Sequence, residues 1–136
     1  MENKEINIIS NLKEKDDVLA RSYGDLLYFG RAFLPADFLN KSDSPIFHDE
    51  VGKKLIDTSP GARICNILPR GFGKSILSKA AILHKIVFSP KGQRQFMAWV
   101  AEEQGQAIDH LKYVKSHLEY NDSIRYYFGN LAGDSV

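Results

Sequence analysis

Residues 62–88 read Ala-Arg-Ile-Cys-Asn-Ile-Leu-Pro-Arg-Gly-Phe-Gly-Lys-Ser-Ile-Leu-Ser-Lys-Ala-Ala-Ile-Leu-His-Lys-Ile-Val-Phe. The first seven, Ala62–Leu68, form a nearly continuous apolar run of strand length. Such a run suits a strand buried on both faces of a parallel sheet. From Lys74 to Phe88 the period changes to that of a helix. Ile76, Ala80, Leu83 and Val87 share one face, with Leu77, Ala81 and Phe88 beside them. The apolar sector is wide, which predicts a well-buried helix. Between the two lies Pro69-Arg70-Gly71-Phe72-Gly73-Lys74-Ser75. Further on, Gln95–Val100 (QFMAWV) is a second apolar run of strand length. Strand, helix and strand in this span predict a parallel, right-handed βαβ unit, and so an α/β fold.

A Gly-Phe-Gly-Lys-Ser loop between a strand and a helix is the setting a phosphate-binding P-loop requires. Glycines let the backbone turn so that several N–H groups face one phosphate. The following helix offers its free N–H groups and the positive end of its dipole to the same anion. Lys74 would set an ammonium on the β- and γ-phosphates, and the Ser75 hydroxyl would ligate the bridging Mg²⁺. The full pattern has a glycine five residues before Gly73, where this chain has Leu68. The competing reading is a Gly-Lys-Ser turn that merely opens a helix. Arg70 is either an ordinary loop arginine, free or ion-paired at the strand end, or a cation near the γ-phosphate that offsets charge developing during transfer.

Outward from this loop the chain reads as helices. Met1 to about Asp17 is polar, with Ile6, Ile8, Ile9 and Leu12 as its sizeable apolar residues: a helical arm or a mobile terminus. Ser22–Leu34 is expected to be a helix capped by Ser22 and ended by Pro35, with Phe38 and Leu39 packing beyond it. Lys41–Pro45 has loop composition. Ile46–Asp57 has Phe47, Val51 and Leu55 at helical spacing, and Asp57–Gly61 is a turn. Ser89–Gly92 breaks the central helix. Glu102–Leu118 is helical again, and Ile124–Phe128 adds a turn after Asn121 and Asp122.

Composition narrows the function classes. The chain has 136 residues, enough for one domain. Its formal charge of +1 gives no overall field toward nucleic acid or a membrane surface. The single cysteine, Cys65, allows no internal disulfide or cysteine zinc site and fits a reducing compartment. No apolar run approaches the roughly 20 residues that span a bilayer, and the N-terminus lacks the apolar stretch of a signal peptide.

The segment Leu68-Pro-Arg-Gly-Phe-Gly-Lys-Ser75 resembles the deviant Walker A of tailed-bacteriophage terminase large subunits, the ATPases that pump viral DNA into procapsids. In that family the first glycine is commonly absent and an arginine stands where Arg70 does. Ser44-Pro-Ile-Phe-His48 is similar to the family's adenine-contacting segment. Phe96–Leu118 resembles the strand and helix that follow the P-loop helix, and Asn121–Gly129 the short helix with a terminal Phe-Gly. The resemblance covers roughly Tyr23–Gly133.

It implies the front half of an ASCE or RecA-like P-loop NTPase with an incomplete sheet: a helical arm or subdomain at 1–45 and a partial ATPase domain at 46–136. It implies ATP and Mg²⁺ as cofactors. Pro69, Arg70, Gly71, Phe72, Gly73, Lys74 and Ser75 would lie on the phosphates, with Phe47 and His48 near the adenine, Arg70 and Lys74 acting catalytically, and Ser75 meeting the metal through the nucleotide. In the complete motor it implies a homo-oligomeric ring in the host cytoplasm, transiently at the procapsid portal. Its partners there are duplex viral DNA, the portal and the small terminase subunit, with no membrane.

Two departures from the family stand out. His48 aligns where the family usually has glutamine, and imidazole offers adenine fewer donors and acceptors than an amide. Nothing after Ser75 reads as a Walker B strand ending in Asp, and no stretch of these 136 residues reads as the family's nuclease domain. Glu102 and Glu103 fit a helix start better than that role. Hydrolysis by this chain alone is therefore not expected.

The remaining candidates have plain readings. His84, His110 and His117 read as helix-surface residues, Trp99 as core, Lys79 and Lys85 as solvated, and Cys65 as a small apolar residue. Two other functions compete: a small P-loop kinase-like phosphotransferase, and a non-catalytic fragment that binds a partner subunit.

Overall fold

A computed structural model describes residues 2–38, 45–57, 59–90 and 96–132, with side chains from residue 11 onward. The expected loop at 41–44, the packing of Leu39, residues 91–95 and the side chains of Ile6, Ile8 and Ile9 lie outside the described residues.

Seven helices follow one another: α1 (Glu2–Gly24), α2 (Leu26–Phe33), α3 (Pro35–Phe38), α4 (Ile46–Ile56), α5 (Lys74–Val87), α6 (Gln104–Tyr120) and α7 (Asp122–Phe128). Among the described residues there is no strand, which overturns the expected α/β P-loop NTPase fold and its parallel βαβ unit. Residues 62–69 and 96–101 form no ladder. Among the described residues, no backbone–backbone hydrogen bond joins Arg63–Leu68 to another segment. Apolarity gives a run a reason to be buried, but a strand exists only through a paired neighbour. Without one, both runs lie open: Ile67 is 90% exposed and Phe96 93%. Cys65, expected inside a buried strand, is exposed.

The first helices divide differently from the expected Ser22–Leu34. The break falls at Asp25, whose extended backbone lets Oδ1 accept from the N–H groups of Leu27 (2.9 Å) and Tyr28 (3.1 Å). Aspartate and serine cap about equally well; what separates them is position, since Ser22 lies buried within the continuous α1 while Asp25 stands at the break. Pro35 ends α2 as expected, but it also opens α3, where its missing N–H is no loss.

The core joins Leu26, Leu27, Phe29 and Phe33 of α2, with Leu34 and Phe38 just beyond, to Leu77, Ala80, Ala81, Leu83 and Val87 of α5, and to Val114 of α6 and Ile124 of α7. Two glycines make the close approaches. A Cβ at Gly30 would lie 2.6 Å from the Phe38 ring, and one at Gly52 would touch Leu26 at 3.4 Å. The second contact seats α4 tightly on α2.

Three polar groups tie the helix ends to this core. His84 is buried rather than on the surface, and its Nε2–H donates to the carbonyls of Ser22 (3.0 Å) and Tyr23 (3.1 Å). It thereby satisfies acceptors that the end of α1 leaves open. Asn121 caps α7 through Ile124 N–H (3.1 Å) and donates to the carbonyl of Phe33 (2.7 Å) and to His117 Nδ1 (3.0 Å). The Tyr113 hydroxyl donates to Asp37, with Lys79 lying 4.6 Å over its ring. Lys79 and Lys85 are half-buried, so the expected fully solvated face of α5 is narrower than its charges suggest. Trp99 is half-buried and packs on His110 with ring centroids 4.3 Å apart, beside the core and not in it.

Candidate phosphate-binding loop

The loop 69–75 leads directly into α5. Gly71 (φ +83°) and Gly73 (φ +76°) both occupy the left-handed region, where a side chain is strained. No atom lies within 4 Å of a Cβ built at Gly71, so conformation, not space, calls for glycine there. Gly73 is the N-cap of α5 and has no side chain to satisfy the first-turn N–H groups; the first turn carries no acid. The free donors of Lys74, Ser75 and Ile76, and the positive end of a 14-residue helix, are left to an external acceptor.

Arg70, Gly71, Phe72, Gly73, Lys74, Ser75 and Ile76 line one cleft of about 350 Å³. Arg70 and Ser75 are exposed. The Lys74 ammonium reaches back across the loop and donates to the carbonyl of Leu68, closing the turn from its own side. Every expected phosphate-side residue except Pro69 lines this cleft; Pro69 is exposed just before it. Ile76 lines it as well, and only the three-dimensional course of the first helical turn brings it in.

Phe47 and His48 sit in the first turn of α4. The His48 side chain is directed at the loop's backbone: Nε2–H donates to the carbonyl of Phe72 at 2.8 Å, and the residue is only 5% exposed. The Phe47 ring packs on His48 (4.5 Å between centroids) and on Phe72 (5.7 Å). Neither residue lines the cleft. A separate small hollow behind the loop is bordered by Asp37, Phe38, His48 and Gly73. Asp37 was not a sequence candidate, because its approach to the loop depends on α3 folding back on α2.

Glu102 and Glu103 are exposed before α6, with Glu103 at its N-cap, and neither lines the cleft. Among the described residues no group of three or more His, Cys, Asp or Glu is placed to hold a metal ion. The donor set fits a nucleotide-borne Mg²⁺, since Ser75 offers a single exposed hydroxyl and phosphate oxygens would have to supply other ligands. Two histidines away from the loop titrate abnormally. Burial holds His84 below the usual imidazole range, against the opposing pull of the Tyr23 and Ser22 carbonyls. Burial likewise lowers His117, with Asp37 opposing. Burial first, and then Asp37, push the Tyr113 phenol up. Among the described residues no helix is long and apolar enough to cross a membrane. No protein family, curated protein or solved structure matches the chain.

Proposed function

We propose that this chain binds ATP with Mg²⁺ through the loop 69–75, as the nucleotide-binding part of a DNA-packaging motor subunit of the terminase large-subunit kind. The observation that carries the binding half is the loop itself. Two left-handed glycines lead into an uncapped, acid-free helix start, and Arg70, Lys74 and Ser75 surround the same cleft. Backbone N–H groups and the helix dipole would hold a phosphate, Lys74 would neutralise the β- and γ-oxygens, and Ser75 would meet the metal. Arg70 would lie toward the terminal phosphate. These features do not depend on a sheet.

The motor half of the reading rests on the resemblance of Leu68–Ser75 to the packaging ATPases. In a complete motor, the partners would be duplex viral DNA, the portal, the small subunit and further copies of the chain, in the host cytoplasm at the procapsid portal. The bound nucleotide would supply the free energy of phosphoryl transfer; this chain's residues would bind and orient it.

The decisive measurement is titration with a fluorescent ATP analogue, with and without Mg²⁺. Lys74→Ala is expected to abolish binding while leaving far-ultraviolet helicity unchanged. Equal affinity in Lys74→Ala and the parent chain would sink the reading.

A further inference from the structure

We infer that His48 is a positioning residue for the loop: it pins the Phe72 carbonyl on the core side and so aims the Gly73 N–H into the cleft. This rests on the phosphate-binding reading of the loop.

Among the described residues no peptide is cis. In a trans peptide the C=O and the next N–H point in opposite directions. Phe72 C=O and Gly73 N–H belong to one such plane. The carbonyl is fixed toward the interior by His48 Nε2–H at 2.8 Å. The amide of Gly73 therefore faces the other way, toward the side where Arg70–Ile76 line the cleft. Gly71 and Gly73 could otherwise let this plane swing, because glycine resists rotation least.

The anchor is firmer than the loop it holds. His48 is buried in the first turn of α4, its own N–H bonded to Pro45 O at 2.9 Å. Gly52 seats that helix against Leu26. The packing of Phe47 on Phe72 adds a second hold on the same peptide. A buried donor that lost this acceptor would be costly to leave unpaired, so the contact is held strongly in one geometry. Arranged this way, His48 serves the phosphates without touching the base, and glutamine, whose terminal amide nitrogen reaches about as far as Nε2, would do the same.

The test uses the full chain and two ligands, ATP and inorganic tripolyphosphate, titrated by calorimetry into the parent, His48→Ala, His48→Asn and His48→Gln. His48→Ala and His48→Asn are expected to weaken both ligands by at least about tenfold, the scale of one lost hydrogen bond. His48→Gln should stay within about threefold of the parent for both. In ¹⁵N spectra the Gly73 amide should shift on adding tripolyphosphate in the parent and His48→Gln, and fail to shift in His48→Asn. Should His48→Ala unfold, the Asn and Gln variants carry the comparison.

Loss of ATP affinity with tripolyphosphate unchanged would overturn the inference in favour of a base contact. Parent-like binding by His48→Asn would overturn it outright while leaving the phosphate reading intact. A parent chain that binds neither ligand would overturn the phosphate reading. The pinned peptide is then judged without ligand by the Phe72 carbonyl ¹³C resonance, which should move in His48→Asn and hold in His48→Gln; movement in both or neither counts against it.

Discussion

Two apolar stretches of similar length meet opposite fates in this chain. Leu26–Phe33 becomes α2 and puts Leu26, Leu27, Phe29 and Phe33 at the centre of the core. Ala62–Leu68 forms neither helix nor strand and is open to solvent along nearly its whole length. Hydrophobicity does not separate them; backbone hydrogen bonding does. A helix closes its own N–H and C=O groups and is free to present one greasy face to α5. An extended run has to borrow its partners from another strand. Among the described residues none is supplied, and burying the run with its backbone unpaired would cost more than its side chains return.

The largest effect expected from this contrast is on stability. Phe33 is 1% exposed and packs on Phe29, Tyr127 and Phe128 at ring distances of 5.0–5.3 Å. Phe33→Ala should cost about 3–5 kcal/mol, enough to unfold a small domain of ordinary stability. Chemical denaturation followed by circular dichroism reads this directly. A loss under about 1 kcal/mol would mean that the core around α2 is not what holds the chain together.

A smaller effect separates the buried polar ties from both stretches. His84 bridges α1 and α5 in its neutral form, and burial lowers its affinity for a proton. His117 is lowered for the same reason, and its Nδ1 accepts from Asn121, which a protonated ring could not do. The unfolded chain takes up these protons first, as pH falls through about 6.5. Their contribution to stability is therefore fully present above that pH and is lost as pH falls from there toward the lowered folded values. Melting temperatures across pH 5–8 check this. His84→Gln should flatten the slope, and a melting temperature that rises on acidification through this range would contradict the assignment.

Much of the helical half is legible in the residues. The spacings of Ile76, Ala80, Leu83 and Val87, and of Phe47, Val51 and Leu55, place α5 and α4 to within a residue or two. The turn at Gly71 and Gly73 is legible too, because glycine is the residue that takes left-handed backbone without strain. Three things are not legible. A short apolar run carries no mark that says whether a partner strand will meet it, so 62–68 and 96–100 look like buried strands and are not. His84 has the sequence context of a surface residue; only the approach of α1 makes it a tie. The direction of His48 is hidden as well, since a residue 24 positions before Phe72 gives no local sign that it will hold that carbonyl.

The smallest expected effect lies in the exposed runs themselves. Phe96 and Ile67 are 93% and 90% exposed, so neither loses contact with water on folding to any useful degree. Phe96→Ser and Ile67→Ser should therefore change stability by no more than about 0.5 kcal/mol, the range of surface substitutions. The same changes should alter association. An extended, weakly charged run with unpaired N–H and C=O groups is a template for pairing with another chain, and apolar side chains add to the gain. Arg63 is the only charge within 62–68, and 96–100 has none. The double variant should thus stay monomeric to higher concentration than the parent by light scattering, with its melting curve unmoved. If instead either single change lowered stability by several kcal/mol, the two runs would be buried in solution, and the contrast with α2 would vanish.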